Sequence, residues 1–335
     1  MSKQVFVFRQ KEEAVAATAE FILDWCASNP GVALGGATGR SPIDVWRTIW
    51  ERLDGPRQDE KPAFLARNVV FLDEYFGAYP AYYNWAWRNL RVGVGGFSAE
   101  RVFTPRGCYF EDGRIVSSSR LEEILNDWPD DWTACTLPGE EGSPPEIRIK
   151  PDAEHPVLAD IRQTLNDYDQ LVRDQGARLQ LLGIGVGGAI DRDEEAGGHI
   201  GFVEYGAADP ETRTMLIKMA GSTQRANRND FLLQNADGPV SLEPSTYAVT
   251  QGISTILSAG HLLLMAWGAS KREAVSRMFL GAPGPKNPAA WIQTHKVATV
   301  FLDEGAFGSI APKQLEERGW RVEFDPTLAL HRPTR

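Results

Sequence analysis

Strand-length apolar runs alternate with amphipathic helical stretches along most of the chain, and this alternation leaves few folds open. Residues 4–8 (QVFVF) read as a strand and 11–28 (KEEAVAATAEFILDWCAS) as a helix. Residues 31–37 (GVALGGA) read as a buried strand, and 41–53 (SPIDVWRTIWERL) as a helix with Pro42 near its start. Three further apolar runs of strand length follow at 68–75 (NVVFLDEY), 179–185 (LQLLGIG) and 296–304 (KVATVFLDE), and 247–265 carries a long helical pattern. Strands that are apolar throughout belong in a sheet buried on both faces, and parallel strands need helical crossovers of the kind present here. The predicted fold is therefore α/β: a single-domain, doubly wound, mostly parallel sheet with helices on both faces, spanning 1–335. Ligands of such sheets sit outside the carboxyl ends of the strands. Residues 105–157 follow neither period and are rich in Pro, Gly and acids. They read as an insertion, partly irregular, between a strand near 101–104 and a helical stretch at 158–176.

Composition narrows the function classes. The 335 residues are 42% hydrophobic and 24% charged, and no apolar run approaches the roughly 20 residues that cross a bilayer, so no membrane association is expected. The start, MSKQVFVFRQKEEAV, lacks a signal-peptide pattern, which predicts a cytoplasmic protein. Cys26, Cys108 and Cys135 are widely spaced and form no CxxC pair, so they read as reduced thiols. A net charge of −10 opposes nucleic-acid binding, which needs a contiguous basic face. A small anionic ligand is still allowed, held by a few local cations and helix N-terminal amides.

The motifs fall at strand ends. In GGATGRSP (35–42), glycines permit a tight turn, and the hydroxyls of Thr38 and Ser41, with free amides at the helix start, suit a phosphate. The same residues also make an ordinary strand-to-helix turn with Ser41 as N-cap. In VVFLDEYFG (69–77), Asp73 and Glu74 end an apolar strand, where partial burial tunes a carboxylate to act as a base; a solvated loop start is the plainer reading. LLGIG (181–185) followed by AGGHIGFVEYG (196–206) offers close-approaching backbone at Gly183 and Gly185, with His199 and Glu204 as groups able to pass a proton. Arg225 and Arg228 in STQRANRNDF (222–231) and Lys271 in WGASKREAV (267–275) are cation candidates. No His/Cys cluster has metal-ligand spacing, and no metal is expected. Trp85, Trp87, Trp267 and Trp291 suit either a core or the interface of a homo-oligomer.

Taken in order, GGATGRSP, FLDEYFG with AYYNWAWRNL, GIG…GGHIGFVEYG, ANR, YAVTQGISTIL, WGASKREAV and WIQTHKVATVFLDE resemble the glucosamine-6-phosphate deaminase/isomerase family, which shares its Rossmann-like fold with the 6-phosphogluconolactonases. These blocks cover most of the chain outside 105–157. DEY and HIGF-x-E are similar to deaminase rather than lactonase patterns. The resemblance implies a sugar-phosphate ligand and no cofactor. It implies that His199, oriented by Glu204, assists ring opening, and that Asp73 moves a proton from C2 to C1 while the 2-amino group leaves as ammonia. It further implies that Gly36, Thr38, Gly39, Arg40, Ser41, Gly183, Gly185, Arg228 and Lys271 bind the substrate, most of them at its phosphate.

Two departures stand out. The family places an acid-Gly-His shortly after GIG, whereas here GGAIDRDEEA (187–196) intervenes and Gly197 stands where the acid would be. Asp191, Asp193, Glu194 or Glu195 could fold back into that place. Arg228 is offset by one position from the family's phosphate arginine, which leaves Arg225 as a competitor. Alternatives to the deaminase reading are an isomerase or lactonase of the same fold with a shifted substrate, and a catalytically impaired sugar-phosphate-binding protein.

Overall fold

The structure, a computed structural model, describes residues 2–77, 79–136, 145–185, 198–207, 209–235, 238–241 and 244–326. Its centre is an eight-stranded sheet in which every pairing is parallel. The order from one edge is Arg321–Phe324, Ser2–Phe8, Val297–Asp303, His261–Ala266, Leu179–Leu182, Leu34–Gly36, Val69–Phe71 and Val102–Phe103. Residues such as Leu181, Leu182, Leu263 and Val300 are essentially inaccessible, as expected for strands covered on both faces. The helix Lys11–Ser28 turns Ala14, Ala17, Ile22 and Leu23 inward, and its first turn is tied by Gln10 N–H donating to the Glu13 carboxylate at 3.2 Å. The helix Ser41–Leu53 buries Trp46, Ile49 and Trp50. Both helices occupy the stretches that periodicity assigned to them.

Two sequence expectations are corrected. The run 68–75 is two strands: Val69–Phe71 lies in the parallel sheet, and Asp73–Tyr75 pairs antiparallel with Tyr247–Thr250 in a second sheet. The chain changes sheets at Leu72, whose carbonyl accepts Gln251 N–H at 2.8 Å, while the Phe71 carbonyl accepts Gln251 Nε2–H at 2.9 Å and Tyr168 Oη–H at 2.6 Å. An apolar run does not record which sheet its halves join.

The stretch 247–265 contains two strands, Tyr247–Thr250 and His261–Ala266, around a short helix, Ile253–Leu257. Gly252 and Gly260 divide it. A Cβ on Gly252 would lie 2.2 Å from the Arg213 carbonyl oxygen, so only glycine passes there. Strand pairing in two sheets outweighs the helical spacing of its apolar residues.

The stretch 105–157 carries short regular elements between irregular segments. It forms a small hairpin (Phe110–Glu111 with Arg114–Ile115), a helix (Ser118–Asp127), and the strands Trp132–Cys135 and Glu146–Ile149, which extend the second sheet. The second sheet runs Asp73–Tyr75, Tyr247–Thr250, Met215–Lys218, Glu146–Ile149, Trp132–Cys135 and is antiparallel throughout. Its own apolar cluster includes Phe76, Tyr109, Leu121, Ile124, Leu158 and Leu216. Among the described residues, no helix is long and apolar enough to cross a membrane.

Candidate active site

The strand order of the parallel sheet reverses between Leu34–Gly36 and Leu179–Leu182. From the first, the chain proceeds outward to Val69–Phe71 and Val102–Phe103; from the second, it proceeds the other way to His261–Ala266 and Val297–Asp303. Loops leaving neighbouring strands in opposite directions open a crevice at their carboxyl ends. A cleft lies there, whose space of about 640 Å³ includes the solvent at its mouth. Its walls come from residues 37–42, Leu72 and Asp73, Gly183–Gly185, His199, Gly201 and Phe202, Asn227 and Lys271, with Tyr82 reaching in from the helix Ala81–Asn89.

The first wall is a turn ending in a helix. Gly39 takes a φ of +88°, a left-handed conformation that favours glycine. The sequence alternative of Ser41 as N-cap is not what forms: Ser41 is the first helical residue, Arg40 occupies the cap position, and no side chain caps the helix. The amides at the start of this helix, which carry the positive end of its dipole, are left without a side-chain cap beside the cleft. Gly36 is not among the residues lining the cleft; a Cβ there would lie 2.6 Å from the Phe71 ring, so its small size serves strand packing.

Asp73 is the buried acid of the site. The sheet change at Leu72 carries it to the strand end, where Thr38 Oγ1–H donates to its Oδ1 at 3.1 Å. Burial, opposed by the Thr38 bond and assisted by the nearby Asp230 carboxylate, pushes its pKa up to about 7. Gly201 approaches so closely, at φ +57°, that a Cβ on it would lie 2.9 Å from Thr250 Oγ1 and 3.6 Å from Asp73 Oδ2. Phe202 N–H donates to Thr250 Oγ1 at 3.1 Å, which ties the His199 loop to the strand paired with Asp73. The neighbouring Glu74 faces elsewhere: its carboxylate accepts the N–H groups of Tyr75, Tyr82 and Tyr83 and seats the helix Ala81–Asn89. Burial pushes Glu74 up to about 8.

His199 lies across the cleft on the backbone of Gly185, with Gly185 N–H donating to the His199 carbonyl at 2.9 Å. Burial and the Lys271 ammonium push its pKa down to about 4, so the imidazole is neutral near pH 7. Among the described residues, its Nδ1 is buried without a hydrogen-bond partner. Lys271 Nζ–H donates to the Ile184 carbonyl at 2.6 Å, and burial with the Arg40 cation lowers its pKa. Two cations that repel each other at an uncapped helix start make a seat for a dianion.

The remaining predicted residues are placed differently. Glu204 is fully buried, does not line the cleft, and has no hydrogen bond to His199; its Oε1 accepts Ala220 N–H at 3.3 Å, and the Thr223 hydroxyl lies beside the carboxylate. Burial pushes its pKa up to about 7. Arg225 and Arg228 are both exposed and neither lines the cleft; Asn227 between them does. Gly197, Asp191, Asp193, Glu194 and Glu195 lie outside the described residues. Sequence reasoning did not single out Tyr82, Asn227 or Thr250. Tyr82 and Asn227 fall inside quoted blocks, yet a polar residue at a helix start or turn carries no spacing signal of its own. Among the described residues, no three His, Cys, Asp or Glu side chains converge as a metal site.

No protein-family model matches the chain. It is 36% identical over 312 residues to the glucosamine-6-phosphate deaminase of Marinomonas sp. (strain MWYL1), covering 93% of both proteins. It is 29% identical over 307 residues to that of Rhodopirellula baltica, covering 90% of this chain and 94% of the relative. The solved structure of a monomeric glucosamine-6-phosphate deaminase superposes with a TM-score of 0.63 at 24% identity, covering 91% of this chain and 98% of that one. The 6-phosphogluconolactonase of Trypanosoma brucei gives 0.54 at 15% identity, covering 92% and 99%. The two structural likenesses speak for the shared fold. The identity to the Marinomonas protein, spread over nearly the whole of both sequences, decides between the relatives that share it: the chain belongs to the glucosamine-6-phosphate deaminase family.

Proposed function

We propose that this protein converts glucosamine 6-phosphate to a ketose 6-phosphate and ammonia. The observation that carries the reading is the Asp73 carboxyl at the cleft floor, buried, bonded by Thr38 and with a pKa near 7, where a general base works best. The uncapped helix start at Ser41 with Arg40 and Lys271 receives the phosphate. The neutral His199 imidazole takes the anomeric hydroxyl proton and returns one to the ring oxygen, which opens the pyranose to the aldehyde. With C1 a carbonyl, the C2 proton is acidic enough for Asp73 to remove. The resulting enolamine takes that proton back at C1 while one amino proton passes to O1, which leaves a C2 imine; water adds to it, and ammonia departs. Every proton taken by Asp73 is returned by it, and no cofactor is consumed.

The test is ammonia release and ketose-phosphate formation from glucosamine 6-phosphate, with the native protein beside Asp73→Asn. We expect both products from the native protein and a loss of several orders of magnitude in kcat for the variant, because a neutral amide cannot accept the proton. Near-normal turnover by Asp73→Asn removes Asp73 from the role of base. Stabilisation by the sugar phosphate without product from the native protein overturns the reaction and favours a binding protein.

A further inference from the structure

Asp230 belongs to the short turn Arg228–Phe231, three residues beyond the cleft residue Asn227, and no motif points to it. Its Oδ2 accepts Tyr75 Oη–H at 2.8 Å. Tyr75 Oη lies 3.2 Å from Tyr82 Oη. The Tyr82 hydroxyl also interacts with Thr38, whose own proton is given to Asp73 at 3.1 Å, and with the Asp230 carboxylate itself. Three hydroxyls therefore join two carboxylates, one of them the proposed base. Packing holds the hydroxyls in place: the Tyr75 and Tyr82 rings are 4.7 Å apart, and Phe202 stacks on Tyr82 at 5.6 Å and 4°.

Each hydroxyl has one proton to give. An ionised Asp230 claims that of Tyr75 and draws on that of Tyr82, and an ionised Asp73 claims that of Thr38, so the Tyr82 hydroxyl, set between Asp230 and Thr38, bridges the two halves. Without a carboxylate at 230, the Tyr75 proton turns to Tyr82, the Tyr82 proton turns to Thr38, and the Thr38 hydroxyl gains a donor. We propose that Asp230 is a positioning residue which, through Tyr75, Tyr82 and Thr38, holds the Asp73 carboxylate in the orientation and proton affinity that the reaction needs.

Among the described residues, the charged and titratable groups around Asp73 are few. Glu74 adjoins it on its own strand, Tyr82 faces it from the helix Ala81–Asn89, and Tyr168 from the helix Pro156–Asp174. His199 and Lys271 line the same cleft, and Arg40 faces both Asp230 and Lys271. Asp230 is the one carboxylate facing Asp73 from another element among these. Its charge opposes ionisation of Asp73, in line with the raised pKa of the base.

The inference rests on Asp73 as the catalytic base, and its test separates the two. The pH dependence of kcat/KM for ammonia formation is compared in the native protein, Asp230→Asn, Asp230→Glu and Tyr75→Phe. In Asp230→Asn the acid limb moves to lower pH and kcat falls, with KM for glucosamine 6-phosphate little changed; Asp230→Glu restores the limb, and Tyr75→Phe reproduces part of the shift. An acid limb that stays in place, or a rise in KM alone that marks a direct contact with the substrate, overturns the inference while leaving the deaminase reading intact. If the native protein releases no ammonia, that reading fails instead, and carboxyl ¹³C titration of Asp73 in the native protein and Asp230→Asn still decides the coupling. A lower midpoint in the variant supports it and an unchanged midpoint ends it.

Discussion

His199 packs so closely on Gly185 that a Cβ on that glycine would lie 2.0 Å from the imidazole Nε2. Real contacts do not reach that distance, so any side chain at 185 must displace the ring. Gly185→Ala is therefore predicted to lower kcat by about 100-fold, the order of loss that a displacement near 1 Å produces in a catalytic group. The fold and the anion seat should survive, because Thr38, Arg40, Ser41 and Lys271 belong to other elements. Steady-state kinetics with a thermal melt checks this: normal turnover in a folded Gly185→Ala protein would separate His199 from the reaction.

Lys271 is predicted to act on binding more than on turnover. Its ammonium is half-buried, donates to the Ile184 carbonyl, and meets a second cation at Arg40. A charge-assisted bond to a phosphate contributes about 1.5–3 kcal/mol, so Lys271→Ala should raise KM by roughly 10- to 100-fold with kcat changed far less. The same variant should remove the rise in Tm that inorganic phosphate gives the native protein. An unchanged KM would make Lys271 a structural clamp on the Gly183–Gly185 loop.

Much of the fold was legible because strands buried on both faces have to be apolar and their crossovers have to be amphipathic. QVFVF, SPIDVWRTIWERL and KVATVFLDE each lie in an element of the expected type. What failed was anything decided by a distant partner. Nothing local in NVVFLDEY says that the chain changes sheets at Leu72, since that follows from Gln251 and Tyr168 holding the Phe71 and Leu72 carbonyls. Nothing local in 247–265 says that its two ends pair in different sheets.

The site divides in the same way. Thr38, Arg40, Ser41, Asp73, His199 and Lys271 stand in motifs near the carboxyl ends of strands, and chain topology gathers them along one cleft. Asp230 and Tyr75 are linked across a long stretch of chain by one hydrogen bond, and a sequence has no period for that. Glu204 shows the limit from the other side: five residues from His199 in sequence, it bonds Ala220 instead.

Gly36 offers a check on packing against binding. The family resemblance puts it among the substrate residues, whereas a Cβ there meets the Phe71 ring at 2.6 Å. Gly36→Ala is predicted to cost about 1–3 kcal/mol of stability through overpacking, seen as a lower Tm, while KM stays near native. A higher KM with an unchanged Tm would return Gly36 to the binding surface.

Stability should fall as pH rises from about 6.5 to about 8. Asp73 and Glu204, pushed by burial to about 7, and Glu74, pushed to about 8, hold protons in the folded protein that the unfolded chain releases near its ordinary carboxyl pKa. Wherever the folded state binds the extra proton, raising the pH weakens it, and the contribution is lost as pH passes through the folded pKa. His199 and His261 act in the opposite sense, since burial lowers both to about 4 from an ordinary 6.5, so the unfolded chain holds their protons between those values. The two histidines therefore offset much of the carboxylate effect below about pH 6.5, and the effect is unopposed above it. Melts at pH 5.5, 6.5 and 8 should give a fall in Tm across both intervals at a similar rate per pH unit, because the carboxyls near 7 finish ionising early in the second, with a reduced fall in Asp73→Asn, which has no proton to lose there. The proposed reaction runs the other way, because the base works only once ionised: kcat/KM should climb as pH passes through about 7 while Tm declines. A Tm that is flat or rising from pH 6.5 to 8 would mean that these carboxyl groups are already ionised in the folded protein, and Asp73 would then lose its match to neutral pH.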